Sequence, residues 1–595
     1  MPYRRQGGAR PTTLLATLLA ISMIVASCGG TSSDDGENGG GGTTEELGLT
    51  AADGESGLED AGDPVRGGTL RYGLEADSTG GFCLTEGQLA ISGMMVVRAV
   101  YDTLTVPNGD GGYSPYLAKT VTPNDDHTVW DIELREGIKF HDGSDLTADV
   151  VKNNLDAYRG APGDHNRSSA LLMFVFSNVD TVEVTDPLTV QVTLHDPWVA
   201  FPAYLYASSR LGIMAQSQLD DTDSCSTDLV GTGPFEFVSW DPNVSFVAER
   251  NENYWQIAPD GEPYPYADRL EFVPIPDAQV RNNAIEAGDV NVMHTSSSED
   301  ISRDLRDLRD RGGVNMFVSE EAGEVSFVQL NTARPPFDDV RMRRALALAA
   351  DMEDINRSLN AGLPTLASGP FSPDSIGYVE DSGFPSYDME AAQERIDEYV
   401  AEGGTPEFNI RATNDAGVIR LAEMVQQRAQ AVGVTVTISQ SDQPQLIEAA
   451  IGGEFQAMTF RNYPGGDPDQ LYVWFHSGNF DGPGEEATNL VNFSKTNDPE
   501  VDRLLDEGRA EADDDARAEI YQDLQRQMGT EVYGIWGWYT PWAIVLGPNV
   551  HGVVGPPLPG EDHTQPGDES TDDPTRQPSL GLATGHSLLG LWIAE

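Results

Sequence analysis

The chain has 595 residues, 39% apolar and 22% charged, which is enough for two or three domain-sized cores. Its 96 acidic residues outnumber 36 basic ones and leave a formal net charge of −60. A surface of that sign repels phosphate backbones and anionic headgroups, so nucleic acid is set aside as a partner.

At the N-terminus, Arg4, Arg5 and Arg10 flank a mostly apolar run from Pro11 to Ala26. That run is too short for a transmembrane helix and reads as an export signal. It ends in Val25-Ala26-Ser27-Cys28-Gly29, which resembles a bacterial lipobox. Residues 1–28 are therefore expected to be a lipoprotein signal peptide, with Cys28 acylated; a plain signal peptide with an incidental Cys is the alternative. Acylation leaves Cys83 and Cys225 in an oxidising compartment, where two thiols favour one disulfide over two separate buried thiols. Residues 29–65 are Gly, Ser, Thr, Asp and Glu with scarcely an aromatic, a flexible tether spanning roughly 30–35 Å.

From Gly67 to about Pro276 the sequence is rich in short alternating segments, such as Val182 to Thr185 and Thr189 to Leu194, that predict strands. From Asp277 to 532 strands alternate with helices. Phe408 to Ala412 predicts a strand, Val418, Leu421, Met424, Val425 and Ala429 recur at helical spacing, and Gly433 stops that helix. Val434 to Ile438 predicts a strand, Leu446 to Ile451 a short helix, and Phe455 to Phe460 a third strand. That β-α-β-α-β run implies a largely parallel sheet, which binds ligands beyond the carboxyl ends of its strands. The loop from Arg461 to Pro468 is thus the first place to look for a site. Residues 559–595, rich in Pro, Asp and Thr as far as 580, predict a disordered tail.

Catalytic signals are missing. No G-x-S-x-G elbow, H-E-x-x-H pair or phosphate-binding G-x-x-x-x-G-K-[ST] loop occurs, and no two of the nine His stand at metal-ligand spacing. The expectation is a protein that is not an enzyme and uses no metal or cofactor.

Six local patterns, in order, resemble the extracellular solute-binding proteins of family 5, the oligopeptide, dipeptide and nickel-binding group. They are Gly67 to Leu70, Tyr101 to Leu104, Leu134 to Val150, Gly231 to Trp255, Asn331 to Leu346 and Asp498 to Leu505. Each also has a structural reading. Asp142-Gly143 suits a tight turn, Asp338 or Asp339 a helix cap, and Gly231 and Gly233 an unusual backbone; Arg135, Lys139 and His141 read as surface or turn residues.

The resemblance implies a two-lobed α/β fold of the type II periplasmic-binding-protein kind, with an extra subdomain in the first lobe and the ligand in the interlobe cleft. The expected divisions are lobe I at 66–276, lobe II at 277–532 and a return to lobe I at 533–558, with crossovers near 275 and 535. It also implies a monomer, lipid-anchored outside the cell membrane, that hands a small-molecule solute to an ABC importer whose permease and ATPase are separate chains. A secreted hydrolase and a ligand-presenting sensor subunit are the competing readings.

In peptide-binding members, the loop equivalent to Arg461–Pro468 carries a Trp and then an Asp that pairs with the ligand's amino group. Aligned on Asp467-Pro468, those positions hold Arg461 and Pro464, so ordinary free-amino peptides are disfavoured unless another acid substitutes. Arg461 is read either as partner to an anionic ligand group or as ion-paired to a neighbouring acid. Asn462, Tyr463 and Asp467 are candidate cleft residues by position, as is Phe82 near the first strand's end. Trp536 and Trp538 serve either ligand contact or interlobe packing.

Overall fold

The computed structural model describes residues 62–78, 81–85, 87, 89–161, 170–221, 227–320, 324–373, 375–462, 465–478, 489–560, 573–579 and 587–594. Cys28, Cys225, Tyr463 and Pro464 lie outside the described residues, as do the export segment and most of the tether. Cys83 is disulfide-bonded.

Two large sheets dominate. The first has seven strands, ordered Asn315–Ser319, Trp542–Leu546, Val292–Thr295, Thr69–Leu74, Arg269–Pro274, Ser245–Arg250, Phe235–Asp241. Thr69–Leu74 runs parallel to both neighbours, and every other pairing is antiparallel. A four-stranded antiparallel sheet accompanies it and contains both expected strands, paired as a hairpin of Val179–Asp186 with Thr189–Leu194. There Val182, Val190, Val192 and Leu194 are buried while the residues between them are more open, the alternation a half-buried sheet demands.

The second sheet is ordered Thr435–Ser441, Glu407–Thr413, Ala457–Asn462, Val325–Leu330, Gly534–Tyr539. Its first three strands are the expected parallel run. The linking helix, Ala416–Ala431, is capped by Asp415, whose Oδ1 accepts from the Val418 N–H at 2.9 Å, and buries Leu421, Ala422, Val425 and Ala429. Val325–Leu330 joins antiparallel and Gly534–Tyr539, antiparallel to it, again points the same way as the first three, so four of the five strands share one direction and the expected largely parallel sheet has one reversed strand. Val325–Leu330 and Gly534–Tyr539 are the strands by which the chain enters and leaves this lobe.

The first crossover also falls later than 275. Asp277 caps a helix, Ala278–Ala287, that returns as Val292–Thr295 beside Thr69–Leu74, a β-α-β unit within the first sheet. The chain crosses between Ser319 and Val325 and crosses back between Tyr539 and Trp542.

Described parts of the tail are ordered against the first lobe. Trp592–Ile593 pairs with Val550–His551, and Leu588, Leu589, Leu591 and Trp592 are buried. The expectation of disorder over 559–595 weighed the polar stretch and overlooked these apolar residues beyond it. Arg135 is likewise no surface residue. It is 1% exposed, donating from Nε to the Tyr116 carbonyl and from Nη1 to that of Gly560. His141 is fixed by Gly231 and Gly233, accepting the Gly231 N–H at Nδ1 and bonding the Gly233 carbonyl through Nε2. Those glycines are obligatory by proximity: a Cβ on Gly231 would stand 2.0 Å from the Val100 carbonyl oxygen. Asp142-Gly143 forms the expected turn and Asp339 is the helix cap.

Candidate functional site

The carboxyl ends of the parallel strands of both sheets converge on one polar cluster. Glu75 follows the first strand, Thr295 and Ser296 close the strand Val292–Thr295, and Arg461 lies near the end of Ala457–Asn462. Glu324 and Trp542 flank the two crossovers. This is the crevice that α/β sheets offer to ligands.

On the first-sheet side, Glu75 Oε1 accepts from Arg281 Nη2 at 3.2 Å, from Thr295 Oγ1 at 3.2 Å and from the Ser296 N–H at 2.7 Å. Burial pushes its carboxyl up, but Arg281, His294 and Arg461 outweigh burial and hold its pKa below the ordinary carboxylate range. His294 lies beneath, its Nε2 accepting the Glu75 N–H at 3.2 Å and standing 3.1 Å from Ser92 Oγ. Its Nδ1 has no partner among the described residues, and burial lowers its pKa to about 4, so the ring is neutral near pH 7.

From the second sheet, Arg461 Nη1 donates to Ser296 Oγ at 2.8 Å, directly spanning the cleft. The same Nη1 is 3.7 Å from Glu324 Oε2, and the guanidinium carbon stands 5.9 Å from the centre of the Trp542 ring. The Arg461 side chain is 42% exposed. Burial works against its charge, but Glu324 and Glu75 outweigh that and raise its pKa. Glu324 is 12% exposed and its Oε2 has no hydrogen-bond partner among the described residues. Burial raises its pKa above the usual range, only partly offset by Arg461. A second bridge, Arg420 to Glu299 at 3.9 Å, crosses the same gap.

Of the residues expected from sequence, Arg461 joins this cluster, where it meets a neighbouring acid and keeps spare donors. Asn462 is buried at the strand end, paired with Val325. Asp467 is engaged elsewhere: its carboxylate takes Arg517 Nη2 at 2.6 Å and caps the Asp469 N–H. Phe82 is fully buried against Trp240 and Phe246. Trp536 is 1% exposed and lies 4.8 Å from the Phe327 ring, and Trp538 is buried in the second core. Glu75, Arg281, His294, Ser296, Glu324 and Trp542 were missed. The strand-end rule that selected Arg461 would also have found Glu75; nothing in the local pattern marks Glu324.

A separate cavity of about 90 Å³ lies between Asp102, Tyr116, Tyr254 and the tail residues Leu588 and Leu589. Ligand pockets run to roughly 300 Å³ and above, so this one suits a few waters. Among the described residues no group of three or more His, Cys, Asp or Glu is placed to hold a metal, and no helix is long and apolar enough to cross a membrane.

Comparison with known proteins gives a consistent result. Residues 112–482 match the family model described as bacterial extracellular solute-binding proteins, family 5 Middle. Curated relatives include the glutathione-binding proteins GsiB of Salmonella typhimurium, 26% identical over 58% of this chain, and of Escherichia coli O157:H7, 26% identical over 55%. The matched stretch spans 65% of the first and 60% of the second. Among solved structures, AgaA of A. tumefaciens R10 in complex with agropinic acid superposes with a TM-score of 0.74 at 23% identity, covering 89% of this chain and 99% of that one. AppA from Bacillus subtilis in complex with a nonapeptide gives 0.72 at 20% identity, covering 90% and 100%. These likenesses show the two-lobed binding-protein fold.

Proposed function

Because the chain belongs to the bacterial extracellular solute-binding proteins of family 5, we propose that it captures a small solute in the crevice between its two sheets and delivers it, chemically unchanged, to an ABC importer. The observation that carries this is Arg461 reaching Ser296 from the opposite lobe at 2.8 Å. Groups from both lobes meet only when the lobes close, and a solute that binds the closed form more tightly shifts the population toward it. In keeping with the family, the permease and ATPase are separate chains, and no phosphate-binding loop occurs in this sequence.

The protein acts outside the cell as a monomer held to the membrane by lipid on Cys28, with the stretch after it as tether. Support comes from the lipobox-like pattern and from the compartment implied by the family. Cys28→Ser should release the protein into the medium; continued membrane retention would remove the anchor from this reading.

The decisive experiment is dialysis of the purified chain against a solute mixture of peptides, sugars and metal chelates, with mass spectrometry of bound and free pools and small-angle scattering of the protein. Retention of one solute class unaltered, with contraction of the particle, is expected. Chemical conversion of a bound solute would support the hydrolase reading instead.

A further inference from the structure

Four charged groups meet in the crevice, and they differ in how far the protein satisfies them. Glu75 accepts from Arg281, Thr295 and Ser296 and, with Arg281, forms a closed neutral pair. Glu324 and Arg461 are also neutral as a pair but are not closed. Their separation of 3.7 Å is too long for a hydrogen bond, and among the described residues Glu324 Oε2 accepts none and one Arg461 nitrogen donates once, to Ser296. A carboxylate oxygen held away from water, eased only in part by Arg461 and the Trp542 indole, is a costly arrangement.

We propose that Glu324 and Arg461 form the head-group subsite of the crevice and take an α-amino-acid zwitterion, its ammonium on Glu324 Oε2 and its carboxylate on the Arg461 guanidinium. This rests on the solute-binding reading above and names its substrate class. The reason is charge matching. A simple anion would have to draw Arg461 from Glu324, leaving that buried carboxylate unpaired, and a simple cation would have to draw Glu324 from Arg461, leaving the half-exposed guanidinium without its acid. A head with both charges on one carbon satisfies both groups at once and displaces neither. Arg461 offers the planar donor set that suits a carboxylate.

Such heads occur in free amino acids and in conjugates extended from the side chain. Ordinary α-linked peptides carry their two charges at opposite ends and fit poorly, which agrees with the expectation from Pro464. The acid that sequence reading sought in the Arg461–Pro468 loop is supplied from the crossover strand.

The test is equilibrium dialysis of the full chain against the twenty free L-amino acids and γ-glutamyl dipeptides, beside the N-acetylated and carboxamide forms of the same compounds. Retention of at least one zwitterionic compound, tenfold or more above both blocked counterparts, is expected. Equal retention of the acetylated form overturns docking on Glu324, and equal retention of the carboxamide overturns docking on Arg461. No retention from the zwitterionic pool overturns the class. Glu324→Gln should lower retention tenfold or more without closing the gap for acetylated compounds; unchanged retention also overturns the proposal. Should that variant fail to fold, the wild-type comparison of blocked and unblocked compounds decides. A parallel arm with sugars and metal chelates separates the two readings: retention there alone removes the head-group proposal and leaves solute binding, while no retention in any arm removes both.

Discussion

The backbone N–H of Thr540 donates to the carbonyl oxygen of Glu324 at 2.7 Å, tying the two interlobe crossovers to each other. Their hydroxyl neighbours repeat the link, with Thr540 Oγ1 2.8 Å from Ser326 Oγ. The two crossovers thus run side by side, and the acid proposed to read the ligand stands on this seam. Closure and head-group contact are coupled by position.

Removing that seam's side-chain link is a mild perturbation. Thr540→Val leaves Ser326 Oγ buried without its partner and should cost about 1–2 kcal/mol. Urea unfolding measures this, and an unchanged midpoint would show that the pair contributes nothing.

A buried ion pair of the second lobe is braced by a tryptophan of the first. Asp469 is fully buried and accepts from Arg509 Nε at 2.9 Å, Arg509 Nη2 at 3.1 Å and Trp198 Nε1 at 2.8 Å. Asp469→Ala strands the Arg509 charge, and about 3–5 kcal/mol of stability should be lost. A denaturant titration showing less than about 1 kcal/mol would contradict this.

The tail makes a testable contribution of its own. Leu591 is fully buried within the first lobe's core. Leu591→Ala should destabilise by about 2–5 kcal/mol through lost burial and the cavity left behind. A melting temperature equal to wild type would return the tail to the disorder expected from its composition.

Acid stability carries a sign that can be worked out. Burial lowers His141 and His294 to about 4, against 6.5 in the unfolded chain, and raises Asp102 to about 6 from 3.8. Between pH 4 and 6 the unfolded state binds two protons on the histidines, while the folded state holds one on Asp102. From these three groups stability falls as pH falls, by one net proton, or about 1.4 kcal/mol per pH unit. Asp102→Asn removes the opposing group and should steepen the slope by about one proton. A slope that flattens in this variant, followed by urea unfolding across that window, would reverse the assignment.

Local chemistry made much of this fold readable. Alternation placed the two strands within 179–194, and helical spacing with Gly433 placed the helix Ala416–Ala431, because burial of one face imposes its period on the chain. The strand-end rule found Arg461 for a related reason: parallel strands direct their carboxyl ends to one edge. The first crossover was misplaced because Pro276-Asp277 looks the same whether it opens a helix within a lobe or ends one.

The sequence by itself determined the family patterns and several of the strands and helices, which depend on neighbours along the chain. Only the tertiary structure decided that Glu324 faces Arg461, that Asp467 is occupied by Arg517, and that Trp592 pairs beside His551. Each of these joins residues tens to over a hundred positions apart. A side chain's charge is written locally, but which charges are left unanswered depends on what folding brings beside them.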